Sequence, residues 1–147
     1  MKVKTNQMYQ SISHEIDIKV RFGEVDSMGI VWHGNYVKYL EDGREAFGKK
    51  YGLTYMGIYK HYGFMIPLVK LDIDYKNQLF YEDEAILKTS LADNPAAKIC
   101  FDYELTRKSD HLLILKASTI QIFMNKEREL ELNTPEFFID WKKQYFK

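Results

Sequence analysis

Asp26, His33 and Gly34 are the residues whose types and spacing could do chemistry together. They lie in the stretch Arg21-Phe22-Gly23-Glu24-Val25-Asp26-Ser27-Met28-Gly29-Ile30-Val31-Trp32-His33-Gly34-Asn35-Tyr36, which joins a strand-like segment to the longest helix-like one. A carboxylate at Asp26, set among small and apolar neighbours near a helix start, could stay ionised and act as base or nucleophile. The backbone N–H groups around His33, Gly34 and Asn35 open that helix. They lack intrahelical acceptors and sit at the positive end of the helix dipole. A carbonyl oxygen placed on them would be polarised, and an oxyanion stabilised. Gly34 would let a substrate approach the backbone closely, and Gly29 lies in the loop that opens the site. A carboxylate facing an oxyanion hole suits acyl transfer or hydrolysis. Each residue also has a plainer role open to it. An Asp before Ser and Gly commonly turns or caps the chain, and a His before a helix is commonly a partly exposed loop residue.

The elements around this stretch follow from periodicity. Ile12, His14, Ile16, Ile18, Val20 and Phe22 alternate with polar residues, which predicts a half-buried strand. A helix fits Asn35 to about Lys50, with Asn35 as its cap and Tyr36, Tyr39, Leu40, Gly43 and Phe47 forming one apolar face. Gly43 on that face leaves room for close approach of a strand, and Gly52 suits the stop. A shorter helix fits Thr54 to about His61. Period two then returns in four segments: Met65 to Leu79, Glu84 to Leu91, Ala97 to Thr106 and His111 to Asn125. The last is apolar on two faces near its middle, as a central strand would be. Pro135 can begin a terminal helix with Phe137, Phe138, Trp141 and Tyr145 on its apolar face. The order is strand, long helix, four strands in antiparallel succession, short helix. One helix of this length must bury its face on a sheet of roughly five strands. Such a sheet has open edges, so pairing of two chains is expected.

Composition narrows the function classes. At 147 residues with 46% hydrophobic and 29% charged residues, the chain reads as one soluble domain with a real core. The aromatic fraction of 15% suits a β-rich fold. A formal net charge of zero argues against nucleic-acid binding, which needs clustered Lys and Arg. Cys100 is the single cysteine, so neither an internal disulfide nor a zinc-type cluster is expected. Residues 1–11 are polar and expected to be loose. Without an apolar leader or a membrane-length apolar run, a cytoplasmic location is expected, with no membrane span.

The stretch from Arg21 to Tyr36, with Leu40-Glu41 and Arg44 on the helix, resembles the signature of the hot-dog-fold acyl-CoA thioesterases, and most closely the 4-hydroxybenzoyl-CoA thioesterase type. The resemblance implies a five-stranded antiparallel sheet wrapped around one long central helix. It implies a single domain over residues 1–147, with its core at about 12–140. The implied activity is hydrolysis of acyl-CoA or aroyl-CoA thioesters to free acid and CoA, with coenzyme A as part of the substrate and no separate cofactor or metal. Asp26 would be the catalytic carboxylate, either attacking the carbonyl to form a mixed anhydride or activating water. The amide N–H of His33, with Gly34, would polarise the carbonyl. The resemblance assigns Asn35, Tyr36 and Gly29 to substrate binding, and implies a homodimer or a homotetramer built as a dimer of dimers. Some relatives place a Tyr where this chain has Phe22, and many carry Pro at the position of Gln78.

Other assignments compete. A non-catalytic acyl-CoA-binding domain would keep the fold and need no aspartate. A hot-dog hydratase or dehydratase would use His33, but resembles chains with a longer glycine- and proline-rich loop. A carrier-protein thioester could replace the CoA thioester. Glu41 and Arg44, at i and i+3, could form a helix-surface pair or an interface contact. Lys88, Lys98, Arg107 and Lys108 could meet the phosphates of coenzyme A, or be solvated. His14, His61, His111 and Cys100 are expected to be structural or exposed.

Overall fold

The computed structural model describes residues 9–146. Most of the polar segment expected to be loose, residues 1–8, lies outside the described residues. The elements run in order β1 (Ser11–Lys19), α1 (Asn35–Tyr51), α2 (Tyr55–Tyr62), β2 (Leu68–Tyr75), β3 (Glu84–Ala92), β4 (Lys98–Arg107), β5 (Leu113–Ile122) and α3 (Glu136–Tyr145). The strands form one five-stranded sheet in the order β1-β3-β4-β5-β2, with every neighbouring pair antiparallel. This is the sheet and single long helix that the hot-dog resemblance implies.

Helix α1 buries the face that periodicity selects. Tyr36, Tyr39, Leu40, Gly43 and Phe47 are all buried. Burial of a side chain such as Leu40 or Phe47 contributes about 1.5–3 kcal/mol. Gly43 sits where the helix crosses β3, and a Cβ there would lie 2.4 Å from Thr89 Oγ1 and 2.7 Å from Leu87 Cδ2. Close approach is thus bought by the missing side chain. The helix stops at Gly52, whose φ of +70° is the left-handed conformation that ends many helices, with its N–H donating to Gly48 O. Helix α3 covers that end: Trp141 Nε1 donates to Tyr51 O at 2.7 Å, and Tyr51 Oη donates to Ser13 O at 2.8 Å.

Three expectations change. The four later strands are not neighbours in succession, because β2 pairs with β5 and not with β3. Alternation identifies a strand but not its partner, and α1 and α2 carry the chain to the far edge of the sheet before β2 begins. Edge strand β2 leaves Leu68, Val69, Leu71 and Tyr75 exposed. Phe22 does not continue the inner face of β1. The strand ends at Lys19, and Phe22 enters a 3₁₀ turn, 76% exposed and edge-on to Tyr81. Asn35 does not cap α1. Gly34 holds the cap position, no side chain caps it, and Asn35 is the first helical residue.

Candidate active site

The loop between β1 and α1 is a small hairpin anchored by Glu24. Its Oε1 accepts from Arg21 N–H at 2.8 Å and from Tyr39 Oη at 3.0 Å. Its carbonyl accepts from Trp32 N–H at 3.0 Å and Asn35 Nδ2 at 2.8 Å. Burial and the hydrogen bond to Glu24 push the Tyr39 phenol well above its usual pKa, so it stays a neutral donor to that carboxylate. Val25 pairs with Val31 across the hairpin.

Asp26 stands at the tip. Its N–H donates to Ile30 O at 2.9 Å and its carbonyl accepts from Gly29 N–H at 3.0 Å. Gly29 has φ +76°, the geometry of a three-residue hairpin loop closed by a left-handed glycine. Asp26 Oδ1 accepts from Met28 N–H at 2.8 Å, the self-capping bond expected of an aspartate in a turn. Oδ2 accepts no hydrogen bond from the described residues, and the side chain is half-buried. Asp26 therefore fills the plain turn role with one oxygen and presents the other. The hairpin rests on segment 79–81: Val31 N–H donates to Leu79 O at 2.9 Å, and Tyr81 N–H to Gly29 O at 3.0 Å. Arg107 fixes that segment through Asp83 at 3.1 Å and through the carbonyl of Gln78.

The hairpin delivers the chain into the start of α1. Trp32 O accepts from Asn35 N–H at 2.9 Å, and His33 O from Tyr36 N–H at 3.4 Å and from Tyr75 Oη at 3.2 Å. The His33 and Gly34 N–H groups, just before the first helical residue, find no acceptor among the described residues. The His33 imidazole is exposed and meets the Trp32 ring at 4.8 Å, with no hydrogen bond to Asp26. The space beside Gly34 is not open backbone, because a Cβ there would lie 2.1 Å from Trp32 Cζ3. Trp32, itself 51% exposed, lies against Gly34 where close substrate approach was expected.

Asn35 and Tyr36 brace the hairpin. They are 6% and 2% exposed. Asn35 holds the hairpin through Glu24 O, and Tyr36 Oη accepts from Leu79 N–H at 3.0 Å. Both position the loop through these hydrogen bonds. Gly29 shapes the turn. Tyr75 also lines a cleft of about 490 Å³ with Asn77, Gln78, Phe80 and Arg107.

Of the basic residues considered for phosphates, Arg107 is spent on Asp83 and Asp110, and Lys108 pairs with Asp17 at 2.9 Å. Arg44 forms no pair with Glu41; its Nη1 turns inward to Tyr103 Oη at 3.1 Å. Among the described residues no group of three or more His, Cys, Asp or Glu is placed to hold a metal ion, and no helix is long and apolar enough to cross a membrane. Sequence reasoning missed Tyr75, whose phenol reaches the helix start from β2, and Trp32. The signal for Trp32 was its place two residues before a glycine, which leaves room for a ring.

The chain is similar to known proteins along most of its length. A family model described as the thioesterase-like superfamily matches residues 20–141. YneP of Bacillus subtilis, provisionally named an acyl-CoA thioesterase, is 34% identical over 131 residues, covering 89% of this chain and 94% of its own. The structure of a DHNA-CoA thioesterase from Staphylococcus aureus superposes with a TM-score of 0.79 at 26% identity, covering 90% of this chain and 88% of its own. The 4-hydroxybenzoyl CoA thioesterase from Pseudomonas sp. strain CBS-3 superposes with a TM-score of 0.77 at 22% identity, covering 88% of this chain and 98% of its own, a likeness of fold.

Proposed function

The chain belongs to the thioesterase-like superfamily, and from that premise we propose that it hydrolyses acyl-CoA or aroyl-CoA thioesters to the free acid and CoA. The observation that carries the proposal is one hairpin holding the uncommitted Oδ2 of Asp26 and leading directly into the unpartnered N–H groups at the start of α1. The thioester carbonyl oxygen sits on the His33 N–H, where the helix dipole adds partial positive charge. Asp26 then attacks the carbonyl carbon to give a mixed anhydride that water opens, or it takes a proton from water as water attacks. Either route expels the CoA thiolate, which leaves as the thiol. Interactions such as that of the His33 N–H, aimed at charge that develops in the transition state, are commonly worth about 3–4 kcal/mol per donor.

Two chains pair through the exposed apolar edge of β2, giving a homodimer or a dimer of dimers. Leu68 and Val69 would lose solvent there. The test of function is a thiol-release screen over aromatic, short-, medium- and long-chain acyl-CoAs. Release from at least one class is expected. Binding of acyl-CoA without thiol release would overturn hydrolysis in favour of a binding domain.

A further inference from the structure

Helix α1 carries a second set of polar groups well beyond its N-terminus. Arg44 follows Val37 and Leu40 by seven and four positions, so the three share one stripe of α1, which begins just after His33. Arg44 Nη1 donates to Tyr103 Oη at 3.1 Å, and Tyr103 Oη shares a hydrogen bond of 2.8 Å with Thr119 Oγ1. Thr119 Oγ1 donates to Gln121 Oε1 at 3.3 Å, and Gln121 Nε2 donates to Tyr55 Oη. Tyr103, Thr119 and Gln121 are at most 1% exposed, whereas Tyr55 is 38% exposed, so the cluster opens to solvent at that phenol.

The guanidinium lacks a counter-charge. No ion pair to Arg44 occurs among the described residues, and its Nε is buried with no hydrogen-bond partner. A cation withdrawn from water with an unspent N–H carries a desolvation cost that an incoming anion would offset. Its planar fork matches a carboxylate better than any other common acceptor except phosphate.

An apolar track links this cluster to the helix start. Positions opposite one another in an antiparallel pair share a face. Tyr75, Ile73 and Leu71 of β2 lie opposite Leu115, Ala117 and Thr119 of β5, all three of which are buried. The track therefore runs on the inner face, from Tyr75, which bonds His33 O, to Leu71, which stands opposite Thr119 in the Arg44 cluster. Leu71 and Tyr75 remain 38% and 47% exposed, so the track is open. Its length from Tyr75 to Leu71 is about 13 Å by strand rise, in accord with about 16 Å by helix rise from His33 to Arg44. An arginine side chain leans back toward its helix N-terminus, which leaves about 8–10 Å, the span of an extended chain of about eight carbons.

We propose that Arg44, with the Tyr55 phenol, receives a free carboxylate at the far end of the acyl group, so that the preferred substrates are CoA thioesters of dicarboxylic acids of medium length. The inference rests on the thioesterase reading and names the substrate class of that same site.

The test compares the mono-CoA thioester of octanedioic acid with octanoyl-CoA on the full chain. The two differ only in the terminal carboxylate. The wild type is expected to show at least about tenfold higher kcat/KM for the carboxylate-ended substrate. In Arg44→Met that ratio collapses by about tenfold, chiefly through KM, and Arg44→Lys, which keeps charge without the fork, falls between. Melting curves establish that each variant is folded. Should Arg44→Met not fold, Tyr55→Phe carries the comparison and is expected to lower the ratio. Equal turnover of both substrates by the wild type, or an unchanged ratio in folded variants, overturns this proposal and leaves thioester hydrolysis standing. Absence of thiol release from every thioester in the screen overturns hydrolysis and this proposal together.

Discussion

At the scale of single residues, Asp26 divides its carboxylate between two tasks. Oδ1 holds the turn through Met28 N–H, which fixes the side-chain rotamer, and Oδ2, which accepts no hydrogen bond from the described residues, is the oxygen the proposed reaction uses. A carboxylate so oriented enters the reaction with little entropy left to lose. His33 divides in the opposite sense: its backbone leads into the helix start, while its exposed imidazole meets the Trp32 ring. His33→Ala is accordingly expected to lower kcat by less than about tenfold in thiol-release assays, because the amide donor remains. A loss as large as that of a catalytic carboxylate would assign the imidazole a direct role. Tyr103 offers a residue-scale test of pH. Burial pushes its phenol up to about 12, against the downward pull of Arg44. A phenol with a raised folded pKa favours the neutral form in the fold. Its contribution to stability is whole below the unfolded value near 10 and is lost as pH rises toward 12. Urea midpoints are expected to fall between pH 9 and pH 11, and to fall less steeply in Tyr103→Phe.

At the scale of elements, the crossing of α1 over β3 is a close contact built on the absence of a side chain at Gly43. Gly43→Ala would gain helix propensity of about 1 kcal/mol, but its Cβ would lie 2.4 Å from Thr89 Oγ1 and 2.7 Å from Leu87 Cδ2. Overpacking of a filled core costs about 1–3 kcal/mol, so net destabilisation in a denaturant titration is expected, and an unchanged midpoint would show that the helix can shift. This contact was legible in the sequence, because a glycine on an apolar helical stripe has few other uses. So were the bounds of α1 and β3, where periodicity is long and clear. The β2–β5 pairing was not, since alternation carries no record of partners. The bracing hydrogen bonds of Asn35 and Tyr36 were not legible either, because a motif does not record what a side chain bonds. The Arg44 cluster was hidden for a related reason: Thr119 and Gln121 are polar residues on inward-facing positions of β5, and alternation alone does not say which face is buried.

At the scale of the whole molecule, the sheet is closed on one face by α1 and left open along β2. The exposed apolar side chains there favour association of two chains. Light scattering of the purified protein is expected to give at least a dimer, and Val69→Lys, which places a charge on the edge, is expected to shift it toward monomer. A monomeric wild type would contradict the pairing. The same organisation places the hairpin of Asp26 and the start of α1 on one support, so hydrolysis can be removed without disturbing the fold. Steady-state thiol release from the best acyl-CoA by Asp26→Asn, with its melting temperature alongside, tests this most directly. The account predicts a loss in kcat of at least about 100-fold with melting unchanged; turnover within a few-fold of wild type in the folded variant would contradict it.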